Sequence, residues 1–173
     1  MKNIIFFILL LALISCESNP LLTPKKESIE CPPVLFAAEH KKYLGSNAPF
    51  ISENNIAYTA EINNYNFSKG CFINNGIFTA SLSILFVVKP MMEEQPIITL
   101  PFYFAILNKE KKVLDIQYYN TEGNFNKNWE TENKDFVETD ISESISIIVP
   151  NADEMMTFVL GFMLDKKQLE ILN

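Results

Sequence analysis

The chain has 173 residues and a formal net charge of −7, with 14 basic residues against 21 acidic ones. All 14 basic residues are lysines, so the chain lacks the guanidinium groups that bind phosphates and bases in a bidentate way. The acidic balance and the missing arginine argue against nucleic-acid binding and against docking on anionic lipid headgroups, while the length suits one domain with its own core.

The N-terminal segment has the layout of an export signal. A single positive charge precedes an apolar run over residues 4–14, and the segment ends in Leu13-Ile14-Ser15-Cys16. The run of about 11 residues is too short to cross ~30 Å of hydrocarbon as a helix, but it suits a signal peptide. The ending resembles a bacterial lipobox, in which signal peptidase II recognises Leu13 and Ser15 and the lipid is attached to Cys16. An ordinary cleaved signal, or a short membrane anchor with an incidental cysteine, is the alternative.

The lipobox implies an organisation and a location for the rest of the chain. Cleavage removes residues 1–15, and acyl chains on Cys16 hold the protein in the membrane, since each buried CH2 contributes about 0.8 kcal/mol. Glu17 follows the cysteine where an aspartate favours the inner membrane, so we expect the outer membrane, with the protein facing the periplasm. Residues 16–30 contain two prolines, several charges and no apolar period, which predicts a flexible tether before a folded domain over residues 31–173.

Two cysteines remain when Cys16 is set aside. Cys31 and Cys71 form an even pair, and an oxidising compartment favours a disulfide between them. The bond closes a loop of about 40 residues, for which the chain-entropy estimate is roughly 4 kcal/mol. Two free buried thiols or a metal pair are the alternatives, although two cysteines without histidine partners make a poor zinc site.

The domain shows the two-residue apolar period of β-strands. The predicted strands cover residues 34–38, 56–63, 71–73, 78–88, 97–107, 113–119, 145–149 and 155–164. Asn74-Asn75-Gly76 predicts a tight hairpin turn, because Asn and Gly accept positive φ. Residues 40–55 are predicted to be a long loop, and a turn is expected near residues 63–64 or 68–70.

The ends of two predicted elements carry further signals. Pro101 places the strand over residues 97–107 at a sheet edge or a bulge. Asp165 and Gln168 fit a capping box, which predicts a short helix over residues 166–172. Seven to eight short strands with almost no helix predict an all-β protein, an antiparallel β-sandwich with immunoglobulin- or fibronectin-like strand spacing and a short C-terminal helix. A barrel is the alternative architecture.

The chain also carries several short motifs in a fixed order. They are Cys31-Pro32 at the first strand, Cys71 in the third, Pro101-Phe102-Tyr103-Phe104, and Gly161-Phe162-Met163-Leu164 followed by Gln168-Leu169. Together they resemble a family of uncharacterised alphaproteobacterial lipoproteins over nearly the whole mature chain. The resemblance implies a lipid-anchored envelope protein with Cys31 and Cys71 paired, and it brings no catalytic residues.

No residue set typical of catalysis or of cofactor binding appears. His40 is the only histidine, and a solvated surface position is expected for it. Nucleophile-elbow, zinc-protease and phosphate-loop motifs are missing, so neither a metal nor a cofactor is expected. The densest acidic stretch contains Glu130, Glu132, Asp135, Glu138, Asp140 and Glu143. It is interpreted as a solvated strand face, with a calcium site or a glycosidase-like pair as the alternative.

Two aromatic features are candidates for binding. Phe125 and Trp129 lie in an asparagine-rich stretch, where exposed rings would form a carbohydrate or peptide platform and buried rings would plug one end of the sandwich. The plug is favoured, and the pair is kept as a candidate binding surface. Residues 102–104 are apolar on both faces, which indicates core membership more simply than an edge for partner pairing.

The sequence therefore predicts a lipid-anchored cell-envelope protein that acts as a non-catalytic binding or structural module on another envelope protein. An envelope hydrolase that uses surface carboxylates is one alternative, and it requires two carboxylates that converge in a pocket. A carrier of an apolar ligand is the other, and it requires a cavity of several hundred Å3 inside the sandwich.

Overall fold

The fold was obtained as a computed structural model, which describes residues 27–92, 97–125, 138–152 and 156–173. The described residues form nine strands and one α-helix: β1 Glu27–Ile29, β2 Val34–Phe36, β3 Lys42–Ser46, β4 Ile56–Asn74, β5 Ile77–Pro90, β6 Ile98–Leu107, β7 Val113–Gly123, β8 Thr139–Pro150, β9 Thr157–Phe162 and α1 Lys166–Leu172. A single 3-10 turn, Ala38–His40, precedes β3. The predictions for Leu13, Ser15, Cys16 and Trp129 lie outside the described residues.

The strands form two packed sheets, so the predicted all-β sandwich is confirmed. Sheet A has the order β1-β4-β5-β8, with β3 also paired to β4, and sheet B has the order β2-β9-β6-β7. All strand pairs are antiparallel except β2 with β9, which run parallel. Among the described strands, β8 therefore ends one side of sheet A, and β7 ends one side of sheet B.

Phenylalanine rings fill the space between the sheets. The largest fully buried side chains include Phe78, Phe86, Phe102, Phe104, Phe158 and Phe162. Rings meet across the two sheets, with centroids 5.2 Å apart for Phe86 and Phe102. Such pairs add about 0.5–1.5 kcal/mol to the stabilisation that burial supplies. The alternation predicted over residues 78–88 and on the last strand therefore marks the core correctly.

The predicted hairpin turn and the C-terminal helix are both confirmed. Asn75 and Gly76 have φ of 50° and 73°, and they connect β4 to β5. The side chain of Asp165 accepts a hydrogen bond from the backbone of Gln168, whose side chain accepts one from the backbone of Asp165. The Gln168 amide also donates to the buried carbonyl of Leu44 in β3 at 2.7 Å, which fixes the helix on sheet A.

Strand β4 is longer than predicted, because the expected turns are bulges. The chain continues as one strand of 19 residues, Ile56–Asn74, with register shifts between Ile62 and Asn64 and between Phe67 and Cys71. Gly70 adopts φ of 73° in the second shift. Asparagine and glycine thus accommodate extra residues in a paired strand rather than reversing the chain.

The predicted loop over residues 40–55 contains strand β3, which the sequence interpretation missed. Residues Lys42–Ser46 pair with β4, and Gly45 lies opposite Tyr58. A Cβ on Gly45 would overlap the Tyr58 ring. Gly45 is therefore required in this strand for the close approach of the ring.

Strand β6 lies between β9 and β7, and its register shift falls at Ile106 and Leu107, so neither the edge nor the bulge predicted at Pro101 is found there. Pro101 lies just beyond the last β6–β9 pair, where its carbonyl accepts a hydrogen bond from the Met163 N–H at 2.9 Å. In a hydrogen-bonded antiparallel pair, each residue donates its N–H to the other. Proline has no N–H to donate, so the β6–β9 ladder ends there.

The Tyr58 hydroxyl satisfies the backbone groups that the shorter β9 leaves unpaired on β6. It donates to the Thr99 carbonyl at 2.9 Å and accepts from the Thr99 N–H at 3.0 Å. Burial raises the pKa of this hydroxyl, and the hydrogen bond to the Thr99 backbone partly opposes that shift. One side chain of sheet A thereby completes the hydrogen bonding of sheet B.

Candidate docking surface

The predicted pairing of the cysteines is present. Cys31 and Cys71 form a disulfide with their Cα atoms 5.1 Å apart. Cys31 lies where the chain passes from β1 in sheet A to β2 in sheet B, and Cys71 is fully buried in β4. The bond joins the N-terminal crossing between the sheets to the longest strand. The same crossing shows that the predicted tether is too long, because Glu27–Ile29 already pair with Cys71, Phe72 and Ile73.

Phe125 does not supply an exposed ring. It is buried against Tyr58, with the ring centroids 6.1 Å apart and nearly perpendicular, at the end of the sandwich where β7 finishes. This is the plug position favoured from the sequence, and it leaves no part of a carbohydrate platform at Phe125. Trp129 lies outside the described residues.

His40 is half-buried rather than fully solvated. Its Nδ1 donates to the carbonyl of Phe162 at 3.0 Å, and its ring meets the Tyr103 ring edge to face at 5.7 Å. A Cβ on Gly161 would come within 2.9 Å of His40 and 2.7 Å of the Tyr103 hydroxyl. The histidine therefore holds the 3-10 turn against sheet B through these contacts.

The described carboxylates do not converge on one point. Glu138 and Asp140 are exposed at the start of β8, and Glu143 accepts a hydrogen bond from the Thr121 hydroxyl at 2.7 Å. The described ranges contain no group of three or more His, Cys, Asp or Glu residues arranged to hold a metal ion. Glu130, Glu132 and Asp135 lie outside those ranges.

The outer face of sheet A is hydroxyl-rich. Ser81 and Ser83 on β5 lie opposite Ser146 and Ser144 on β8, and the hydroxyls of Ser83 and Ser144 are 3.0 Å apart. The neighbouring strand adds Ser68, whose hydroxyl donates to that of Ser81. The same face carries the exposed Ile148, which lies opposite Thr79 near the Asn75 and Gly76 turn, so the hydroxyl-rich part is the middle of the sheet.

The outer face of sheet B is apolar, in contrast to sheet A. The strand register aligns Leu35, Val159, Ala105 and Ile116 in one row across all four strands. Leu35 is 54 % exposed and Ile116 is 39 % exposed, while Tyr118 on the same face is 64 % exposed. Between them, Val159 is half-buried and Ala105 is buried, so the exposed apolar area comes from Leu35, Ile116 and Tyr118. We call these five residues the docking face.

Strand β7 has the reverse of the usual polarity. Its apolar residues Ile116 and Tyr118 point outward, whereas Asp115 and Gln117 lie on the side of the core-facing residues of β6. The polar side chains bond to one another, with the Gln117 amide donating to Asp115 at 3.1 Å and the Tyr119 hydroxyl donating to Gln117 at 2.7 Å. The Tyr119 ring stacks on Phe102 with centroids 5.2 Å apart, which fixes this register.

The reversed polarity of β7 has an energetic consequence. A slip of one residue would exchange the two faces of a strand and turn its apolar set inward. The observed register leaves apolar side chains in water, which costs a free energy of about 25 cal/mol for each Å2 of apolar surface that is not buried. Exposed apolar surface kept in this way on a long edge strand is typical of a face that a partner covers.

The sequence contained a signal for this face, but the signal was ambiguous. Alternation separates the two sets of residues correctly over residues 115–119, but the bulge at Leu114 places Val113 on the face of Ile116 rather than that of Asp115. Alternation alone also assigns the apolar set to the core. The contact of Tyr119 with Phe102 decides the orientation, and such a contact depends on the folded register.

Beside the docking face, a groove of about 640 Å3 is lined by residues of β7 and β8, the last strands of the two sheets among the described residues. Its buried floor includes Ile106, Val149 and Met156. Leu114, Ile148 and Lys112 line its walls. The groove lies at the end of the sandwich that carries the Asn75 and Gly76 turn, since Gly76 accepts a hydrogen bond from the Ala152 N–H.

Comparison with known proteins leaves the chain without a relative: no family model matches it, and neither a curated protein nor a solved structure shows significant similarity. Within the described ranges, no helix has the length and apolar character needed to cross a membrane.

Proposed function

We propose that this chain is a lipid-anchored protein of the outer membrane, facing the periplasm, whose sandwich is a non-catalytic module that docks on another envelope protein. The anchor rests on the sequence pattern that ends at Cys16, with Leu13 and Ser15 as the recognition residues. The docking role rests on one observation, the apolar outer face of sheet B with Ile116 and Tyr118 exposed on β7.

The contrast between the two sheets supports docking through sheet B. Both outer faces belong to one domain and meet the same solvent. The middle of sheet A presents serine hydroxyls, and its exposed Ile148 lies near the Asn75 and Gly76 turn, whereas sheet B presents Leu35, Ile116 and Tyr118. Apolar residues and aromatic rings are enriched at the centres of protein interfaces, where charged residues are depleted. The docking face carries no charged residue in its central row.

The filled interior favours docking over carriage of an apolar ligand. Six phenylalanines are fully buried between the sheets, and the groove beside β7 opens at the surface. An apolar ligand would therefore bind on the outside of the sandwich, where it would compete with a protein partner for the same apolar surface.

The anchor is tested by metabolic labelling with a fatty-acid probe. The full-length chain should take up the label, and the Cys16→Ala variant should remain unlabelled and leave the membrane fraction. Absence of label on the unaltered chain would contradict the anchor.

The docking face is tested by photo-crosslinking in intact cells. A photoreactive amino acid at Tyr118 should crosslink to a single envelope protein, whereas the same group at Ser146 on sheet A should not. Ile116→Lys should weaken co-purification of that protein by at least about tenfold, which corresponds to about 1.4 kcal/mol.

Ile97→Lys is the matched control, because Ile97 is 65 % exposed and lies away from the docking face. It should leave co-purification unchanged. Equal crosslinking from Tyr118 and Ser146, or equal weakening by both lysine substitutions, would overturn the docking role of sheet B.

A further inference from the structure

The N-terminal chain joins the sandwich at a defined end. Strand β1 runs antiparallel to β4, with Ile29 opposite Cys71 and Glu27 opposite Ile73. Strand β1 therefore begins at the end of the sandwich that carries the Asn75 and Gly76 turn. We call this the hairpin end; it also carries the β6–β7 turn over residues 108–112 and the groove between β7 and β8.

Exposed apolar side chains collect at the hairpin end. Ile77, Val113, Leu114 and Ile148 are each between 42 % and 61 % exposed. Leu114 and Ile148 line the same groove, although they belong to different sheets. A register shift between Ile106 and Leu107 gives β7 an extra residue at this point, which bends the strand edge.

The turn at the hairpin end is basic. Lys109, Lys111 and Lys112 are exposed, and the Asn108 side chain fixes the turn by accepting hydrogen bonds from the Glu110 and Lys112 N–H groups. Among the described residues, the ion pairs are made by Lys41, Lys166 and Lys167. The three turn lysines are thus available to a ligand outside the chain.

The charge of the protein is distributed unevenly. Glu27, Glu110 and Asp115 balance the three turn lysines at the hairpin end, while the other described residues include ten acidic side chains against six lysines. Asp153 and Glu154 lie outside the described residues. A net charge of −7 repels an anionic surface as a whole, but the acidic excess among the described residues lies away from this end.

We infer that the hairpin end rests on the phospholipid bilayer, with Val113, Leu114 and Ile148 at the level of the headgroups and the turn lysines on headgroup phosphates. This inference rests on the proposed lipid anchor at Cys16. Eleven residue steps separate Cys16 from Glu27, so the tether reaches at most about 40 Å and holds this end near the membrane. Apolar side chains flanked by lysines suit an interfacial position, in which the lysine ammonium groups reach the phosphates.

The orientation agrees with the proposed docking role. The docking face lies on the side of the sandwich that sheet B forms, and the strands of this sheet run from the hairpin end toward the opposite end. With the hairpin end on the bilayer, this side projects into the periplasm and is accessible to a partner.

The inference is tested by lipid quenching of fluorescence. Single variants Val113→Cys and Ile148→Cys of the full-length chain are labelled with a polarity-sensitive fluorophore, while the native disulfide and the acylated Cys16 leave no other free thiol. Ile97→Cys is the control, because it is equally exposed but lies at the opposite end of β6. The acylated proteins are reconstituted into vesicles of phosphatidylethanolamine and phosphatidylglycerol that contain a spin-labelled lipid.

The fluorescence emission of the probes at Val113→Cys and Ile148→Cys should shift to shorter wavelength in the presence of vesicles. The spin-labelled lipid should quench this emission at least about twofold more than that of the probe at Ile97→Cys. Equal quenching at all three positions, or stronger quenching at Ile97→Cys, would overturn the inference. A blue shift without lipid quenching would also overturn it, because a protein would then cover this end.

Mass analysis of the Cys16 peptide separates the two proposals. An acylated Cys16 without preferential quenching leaves the anchor in place and removes only the membrane contact. An unmodified Cys16 removes both.

Discussion

The Cys31–Cys71 disulfide should contribute a large share of the stability of this domain. It closes a loop of 40 residues that contains β2, β3 and most of β4. In the chain-entropy account, opening a loop of this size lowers the free energy of unfolding by about 4 kcal/mol. For a domain of this length, 1 kcal/mol corresponds to about 2–4 °C, so the melting temperature should fall by about 8–16 °C.

The assay is urea unfolding followed by circular dichroism, with and without a thiol reductant. The reduced chain should have a lower free energy of unfolding and a larger denaturant dependence, because its unfolded state exposes more surface. The double variant Cys31→Ala/Cys71→Ala should have the same free energy of unfolding as the reduced protein to within about 1 kcal/mol. This margin allows for the small change in side-chain volume at the buried Cys71. A reduction effect below about 1 kcal/mol would refute the assignment of the stability to loop closure.

Two further substitutions test the contacts that join the sheets and the helix. Tyr58→Phe leaves the Thr99 N–H and carbonyl unpaired and should lower the free energy of unfolding by about 1.5–3 kcal/mol in urea titrations. Tyr118→Phe, at an exposed ring, is the control and should change the free energy of unfolding by less than about 0.5 kcal/mol. Equal effects of the two substitutions would contradict the role of the Tyr58 hydroxyl. Gln168→Glu replaces a buried amide donor by a carboxylate facing the Leu44 carbonyl and should destabilise by about 2–3 kcal/mol at neutral pH. Burial raises the pKa of the introduced carboxyl above its unfolded value, so the loss of stability should shrink as the pH falls toward about 4. Thermal unfolding across this pH range measures the loss, with Lys166→Ala, at a side chain 93 % exposed, as the control. A loss of stability that does not depend on pH would count against the contact.

Local signals in the sequence were sufficient for several elements of the fold. The Asn75 and Gly76 turn requires only residues that tolerate positive φ, and the helix start requires only the Asp165 and Gln168 pair. Alternation on β5 identified the buried face, because that strand has one face in the core and one face in solvent. Each of these features depends on residues close together in the sequence.

The features that the sequence interpretation missed depend on contacts between distant residues. Gly45 belongs to a strand because the Tyr58 ring packs on it, and the interior position of β6 is compatible with Pro101 because β9 ends at that rung. The docking face depends in the same way on the stacking of Tyr119 with Phe102. A period of two cannot tell which side of a strand faces the core when both sides carry apolar residues.

The attachment of β1 also determines how the domain responds to force. Tension on the chain before Glu27 would first act on the three residue pairs that hold β1 on β4. Once these separate, the pull reaches Cys31, and the covalent bond transfers it directly to Cys71, three residues before the end of the longest strand. Unravelling would stop at that point, so β2, β3 and the core behind them would remain folded while the leading segment lengthened by a few residues.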